Sequence, residues 1–251
     1  MIAYRLLRIA VHLSVGMWTC GLVFPFTDAA GRARRIQHWS LGLMKICRVR
    51  IDIQGGADVP GTTRALIVAN HVSWIDIFVI NTMLPCRFVA KSDIRDWPLL
   101  GWLCEKAGTV FISRGRLRDV RKIYQGLVTS IHAGEHIAFF PEGTTAAQGG
   151  LLPFHANLFE AAIDAQVAIQ PYAVRYVDAN GGLHDAVEFI GETTFAASLI
   201  LILRTKGITA QLIPLPAIAT QGVHRRDLAL SAQQAIATAL GHRSTTQVHD
   251  R

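Results

Sequence analysis

Charge is what this sequence of 251 residues has least of: Asp, Glu, Lys and Arg together make up 17%, against about 25% in an ordinary soluble domain. Apolar residues make up 51%, which excludes a disordered chain, since disorder requires low hydrophobicity and high net charge. Cysteine is scarce too. Cys20, Cys47, Cys86 and Cys104 form no C-x-x-C pair and have no histidine at ligand spacing. A disulfide framework is therefore excluded, and neither a zinc site nor a redox motif is supported; reduced structural thiols are expected. No repeat or low-complexity linker interrupts the chain. Acidic residues are outnumbered, 18 against 25 Lys and Arg, for a net charge of +7 and a pI near 9.6. That balance favours an anionic partner. Aromatic residues do not interleave with the basic ones, and no helix-turn-helix or zinc-finger spacing is present, so nucleic acid is not expected to be that partner.

The positive charge is uneven. Residues 1–60 and Arg87 to Lys122 each carry a net +5, whereas Glu135 to Glu192 holds eight acidic residues against Arg175 alone. Between Arg8 and Arg32, the stretch Ile9 to Thr27 carries no formal charge; its length is near the lower limit for a spanning helix, which needs roughly 20 apolar residues. A retained membrane helix is the reading favoured here. An interfacial helix and a cleaved signal are the alternatives, though the run shows no small-x-small site at its end. Basic flanks on both sides leave orientation open. The second apolar run, Phe195 to Leu203, is too short to span and is expected to be a core helix.

Beyond residue 35, β-rich runs alternate with helical ones, the pattern of a single α/β domain with a central mostly parallel or mixed sheet flanked by helices. Strands are predicted at Val49–Ile53, Ala65–Ala69, Arg87–Ala90, Thr109–Ile112, His136–Phe140, Ala168–Val174, Val187–Ile190 and Ile208–Leu215. Helices are predicted at Ser73–Met83, Leu99–Ala107, Arg118–Ala133, Asn157–Gln166, Thr194–Thr205 and Ser231–Leu240. The expected division is an N-terminal membrane-anchoring segment over 1–35, the α/β domain over 36–240 and a polar tail over 241–251.

Three strand ends carry chemistry. Asn70-His71 follows the strand Ala65–Ala69, and Asp76 stands five residues after His71. A carboxylate that receives Nδ1–H fixes the imidazole tautomer and leaves Nε2 free to take a proton. Five is not a helical pairing distance, but if His71 sits at the helix entry on non-helical backbone, Asp76 on the first turn can turn back to it. The strand His136–Phe140 runs into Pro141-Glu142-Gly143-Thr144-Thr145, where proline ends the ladder and glycine permits close backbone approach. Arg114 emerges just past Gly108 to Ile112 and can receive an anion. Lys91 is a further candidate cation. No G-x-S-x-G elbow exists and no cysteine lies in these motifs, which favours direct transfer over a covalent intermediate.

These blocks, N-H-x4-D at Asn70 to Asp76, G-x-x-F-I-x-R at Gly108 to Arg114, F-P-E-G-T at Phe140 to Thr144 and the proline-bearing strand at Ile169-Gln170-Pro171, occur in the order of the glycerolipid acyltransferase family, which the chain resembles from about Ala65 to Val174. The resemblance implies transfer of a fatty acyl group from a thioester of coenzyme A or acyl carrier protein to a lysolipid hydroxyl, with no further cofactor and no metal. It implies His71 as the base and Asp76 as its orienter. Glu142, Gly143 and Thr144 would position the acceptor, with Arg114 and Lys91 on its phosphate. Lysophosphatidate is the expected acceptor by a narrow margin. Phosphatidate-forming members commonly carry arginine after F-P-E-G-T, and this chain carries Thr145, so a lyso-ornithine lipid is the rival; a thioesterase-like hydrolase and a non-catalytic lipid-binding protein stand further back. Trp97 to Leu103 and the basic run Arg114 to Lys122 suit a lipid interface, with an ordinary helix core and a solvated helix start as the respective alternatives. The expected setting is a bacterial inner membrane with the site on the cytoplasmic side.

Overall fold

The structure, a computed structural model, describes residues 2–55, 64–96, 100–112 and 117–242. Seven strands form one mixed sheet in the order β1-β7-β6-β2-β5-β3-β4. They are β1 (Arg50–Ile53), β2 (Ala65–Ala69), β3 (Arg87–Lys91), β4 (Val110–Ile112), β5 (Ile137–Phe139), β6 (Ala168–Val177) and β7 (Thr209–Pro214). From β6 to β4 every pairing is parallel. β7 runs antiparallel to β6 and carries β1 parallel to itself.

β2, with the sequence ALIVA, is buried along its whole length, as a central parallel strand covered on both faces must be. Period-two alternation divides it. Ile67 and Ala69 join Tyr172, Val174, Tyr176 and Leu212 on the face packed by α1 (Ile2–Trp18), α2 (Ala29–Cys47), α3 (Asp76–Met83) and α7 (Phe195–Arg204). Leu66 and Val68 join Ile137, Phe139 and Ile169 against α5 (Leu117–His132), α6 (Glu160–Asp164) and α8 (Arg225–Leu240). The small helix α4 (Leu100–Lys106) precedes β4. Because β2, β5, β3 and β4 are parallel, their carboxyl ends share one edge of the sheet, where α/β folds build their sites.

The α1 helix runs on through a π-helical stretch, Thr19–Val23, and a single 3-10 turn, Phe24–Phe26. Residues Ile2–Phe26 are long and apolar enough to cross a membrane, and 22% of the most apolar window is buried against the rest of the chain. One side, at Arg5, Ile9, Gly16, Cys20 and Phe24, faces the protein. The other presents Tyr4, Leu7, Val11, Val15, Trp18, Leu22 and Phe26 outward, Trp18 70% and Phe26 90% exposed. The spacing of three and four keeps these on one helical stripe. Buried Arg5 donates to the carbonyl of Leu203 in the last turn of α7, which favours positive charge. α1 and α2 lock together where His12 stacks on Trp39 with centroids 4.5 Å apart and the two rings hydrogen-bond each other's backbone carbonyls.

Several elements depart from the pattern expected of the sequence. The α2 helix went unread because its polar and basic residues blur the apolar stripe; it is capped by Asp28, whose carboxylate accepts from Gly31 N at 2.8 Å, and the division expected at residue 35 lies inside it. The strand expected at Val187–Ile190 does not form. Asp185–Val187 is one 3-10 turn, and the segment after it is tied to loops, with Phe189 N donating to Val72 O at 3.0 Å and Glu188 accepting from Gln148 N at 2.8 Å. The helix expected at Asn157–Gln166 begins as a 3-10 turn, Ala156–Phe159, before α6. The α8 helix starts at Arg225, ahead of the expected Ser231, where His224 caps it. The α7 helix buries Ser198, Ile202 and Leu203 but leaves Leu201 exposed.

Candidate active site

The site begins where β2 stops. Its last ladder partner is Ala69 beside Tyr172 of β6. The Asn70 side chain then takes over the pairing, donating to Val174 O and accepting from Val174 N, both at 2.8 Å. A side-chain amide carries one donor and one acceptor as a peptide does, so the sheet is closed while the main chain is free to turn outward. His71 stands on that turn with its side chain 18% exposed.

Helix α3 starts at Asp76 and not at Ser73, because the amides ahead of it are engaged by the Asp76 carboxylate: Oδ2 accepts from Val72 N at 2.7 Å and Ser73 N at 2.9 Å. The same oxygen accepts from His71 Nδ1 at 2.8 Å, and Oδ1 accepts from the Tyr176 hydroxyl at 2.5 Å. Asp76 is fully buried, and four donors meet a charge that would otherwise be prohibitive to bury. With Nδ1–H donating, Nε2 carries the free lone pair. The ring plane is fixed by Phe140, stacked on it at 3.9 Å and 7°, and Phe88 backs Phe140 at 5.7 Å.

Glu142 lies beside the pair, but both its oxygens meet backbone. Oε1 accepts from His71 N at 2.7 Å and Oε2 from Leu152 N at 2.8 Å. It braces the histidine turn against the loop after F-P-E-G-T. Burial pushes its carboxyl up, against the opposing pull of those two amides. Gly143 adopts φ +70° and is exposed, a left-handed conformation that side chains resist. Thr144 is exposed. Thr145 turns inward and its hydroxyl donates to Phe189 O, while Ala146 N donates to His71 O at 2.8 Å. Lys91 is exposed at the carboxyl end of β3, on the same edge but separated from β2 by β5. Arg114 lies outside the described residues, as do Trp97 to Leu99.

The structure thus brings His71, Asp76, Glu142 and the Gly143 turn together. It adds two residues that sequence reasoning missed. Tyr176 reaches Asp76 from the far end of β6, and Gln148 clasps Tyr176 in place by accepting from its N–H at 2.6 Å. Neither gave a signal, since a tyrosine in a buried strand reads as core and a glutamine in a loop reads as solvated. The Cys47 and Cys86 thiols are buried, and burial pushes Cys47 up to about 12 and Cys86 up as well.

Over most of its length the chain is similar to known proteins. The profile of the Acyltransferase family fits residues 50–175, half of the chain, and the chain belongs to that family. A lyso-ornithine lipid O-acyltransferase of Pseudomonas aeruginosa is 37% identical over 235 residues, 92% of this chain and 89% of that one. A 1-acyl-sn-glycerol-3-phosphate acyltransferase of Neisseria gonorrhoeae is 40% identical over 143 residues, 57% of this chain and 56% of the other. Among solved structures, the 1-acyl-sn-glycerophosphate acyltransferase PlsC of Thermotoga maritima superposes with a TM-score of 0.69 at 20% identity, covering 96% of this chain and 97% of that one; this likeness establishes the fold.

Proposed function

We propose that this acyltransferase moves a fatty acyl group from a thioester of coenzyme A or acyl carrier protein to the free hydroxyl of a lyso-ornithine lipid, at a membrane surface met by the outer face of α1. The observation that carries the chemistry is the His71–Asp76 pair with Nε2 left free. His71 Nε2 takes the proton of the acceptor hydroxyl as its oxygen attacks the thioester carbonyl, a step typically worth about 10²–10⁴-fold. Asp76 keeps the imidazole in the working tautomer and offsets its positive charge. Backbone N–H groups at the strand-end turns are the candidate donors to the tetrahedral oxyanion. Collapse breaks the C–S bond, the thiolate recovers the proton from His71, and an ester remains.

Support for the lyso-ornithine acceptor comes from two sides. The Pseudomonas aeruginosa relative aligns over nearly all of the chain, and Thr145 turns into the fold and brings no cation to the acceptor turn. The second reading, 1-acyl-sn-glycerol-3-phosphate, is favoured by the 40% identity to the Neisseria gonorrhoeae enzyme over the stretch that aligns, with Lys91 and Arg114 to meet its phosphate. Labelled acyl transfer to the two lysolipids in competition separates them. A preference for lyso-ornithine lipid is expected; a preference for lysophosphatidate overturns that choice, and thiol release that is indifferent to either acceptor points to hydrolysis.

A further inference from the structure

We propose that Tyr176 is a positioning residue for the His71–Asp76 pair: its hydroxyl withdraws charge from Asp76 and so sets how strongly the carboxylate holds the imidazole, which tunes the pH range over which His71 works as a base. The inference rests on the reading of His71 as that base.

The geometry is specific. Tyr176 is fully buried and meets Oδ1 at 2.5 Å, on the side of the carboxylate opposite His71 and the two amides, which share Oδ2. Without this hydroxyl, Oδ1 has no partner among the described residues. The phenol reaches it because the backbone is fixed at three points. Tyr176 pairs with Ala210 of β7, its N–H donates to Gln148 Oε1 at 2.6 Å, and its carbonyl accepts from His184 N at 2.9 Å. Gln148 itself hangs on the loop that follows Gly143 and is held there by Glu188. A change in that loop therefore reaches Asp76 through Tyr176.

The phenol is a donor and not a second acid. Burial and the adjacent Asp76 push it far above its ordinary value, so it keeps its proton throughout the working range. Among the described residues, Glu142 also faces the pair, from the turn after β5. On the same face of β6, Tyr172 is kept neutral by burial, and Cys86 likewise. On the α7 side, Trp74 donates to Ser198, a neutral contact.

A hydrogen bond to one oxygen of a carboxylate lowers the basicity of the other. In Tyr176→Phe the negative charge concentrates on Oδ2, the imidazolium is held more strongly, and the acidic limb of kcat/KM is expected to move to higher pH, with a several-fold activity loss near neutrality that is recovered in alkaline buffer. Replacement of Tyr176 alone by 3-fluorotyrosine, a stronger donor of nearly the same shape, is expected to move the limb to lower pH. This second variant keeps the test available if Tyr176→Phe folds poorly. Opposite displacements support the proposal. An unchanged limb in both, or a pH-independent loss of activity, overturns it and leaves Tyr176 as packing. Measured alongside, His71→Ala separates the two claims: a dead His71→Ala with unmoved limbs sinks the role of Tyr176 alone, whereas an active His71→Ala sinks the reading of the base.

Discussion

At the carboxyl edge of the sheet a charged side chain, Asp76, is fully buried with four donors on its two oxygens, whereas along the outer side of α1 a stripe of large apolar side chains from Tyr4 to Phe26 faces outward, uncovered by the described residues. Both break the ordinary partition of polar and apolar groups, in opposite senses. In the first, the surplus polarity is satisfied inside the protein, which holds the His71 imidazole in one orientation with Nε2 free. In the second, the surplus apolarity has no partner among the described residues; a contiguous exposed patch of this kind marks a membrane or a partner surface. Chemistry needs the first arrangement and a lipid substrate makes sense of the second.

Variants at Asp76 and on the α1 stripe perturb the two regions separately. The largest effect is expected at Asp76: Asp76→Ala removes the acceptor of four hydrogen bonds, and acyl transfer should fall by about 10²–10⁴-fold, read as initial rates with saturating thioester. A variant with over half of wild-type activity contradicts the site. At the other end, the triple change Trp18→Ser, Leu22→Ser, Phe26→Ser removes exposed side chains and should leave the chemical denaturation midpoint of the domain nearly unchanged. Partitioning onto anionic vesicles should drop by about 10³-fold or more, each large side chain contributing ~1.5–3 kcal/mol when removed from water. Unchanged partitioning would mean that the stripe meets something other than lipid.

A smaller effect is expected at the turn beside the His71–Asp76 pair. Gly143→Ala forces a methyl onto φ +70°, with a stability loss of about 1–2 kcal/mol in denaturant titration; the new methyl would meet His155 at ordinary contact distance, so strain and not collision sets the loss. The smallest effect is a slope. Glu142 has its carboxyl raised above the ordinary 4.5 by burial, so its contribution to stability is fully present below that value and is lost as pH rises through the folded one. Glu142→Gln lacks this titration. Its deficit relative to wild type should therefore be larger at pH 4 than at pH 8, and the opposite trend would show that the two amide bonds outweigh burial.

How much of this could be read in advance differs between the two regions. The α1 stripe was visible as an uncharged run, because a hydrophobic surplus shows in composition without any tertiary partner. His71 and Asp76 were visible because their spacing is local and implies the non-helical turn that is observed. Strands β1 to β7 were placed because apolar β-rich runs alternate with helical ones, but Val187–Ile190 looked like another such run and is in fact held to Val72 and Gln148. Tyr176 was invisible: it lies 100 residues from Asp76 along the chain, and only the β2–β6 pairing, extended by the Asn70 side chain, brings it there. Glu142 was read for the acceptor from its motif, and its backbone partners could not be foreseen since Leu152 reaches it through a loop without periodicity.

In the proposed function His71 is the base that directs acyl transfer to a lipid hydroxyl and not to water. The most direct test is release of free thiol from an acyl thioester by wild type and by His71→Ala, each with and without lysolipid. Release that depends on lysolipid in wild type and falls by about 10²–10⁴-fold in His71→Ala is the predicted result; equal release without lysolipid, or full release from His71→Ala, would contradict it.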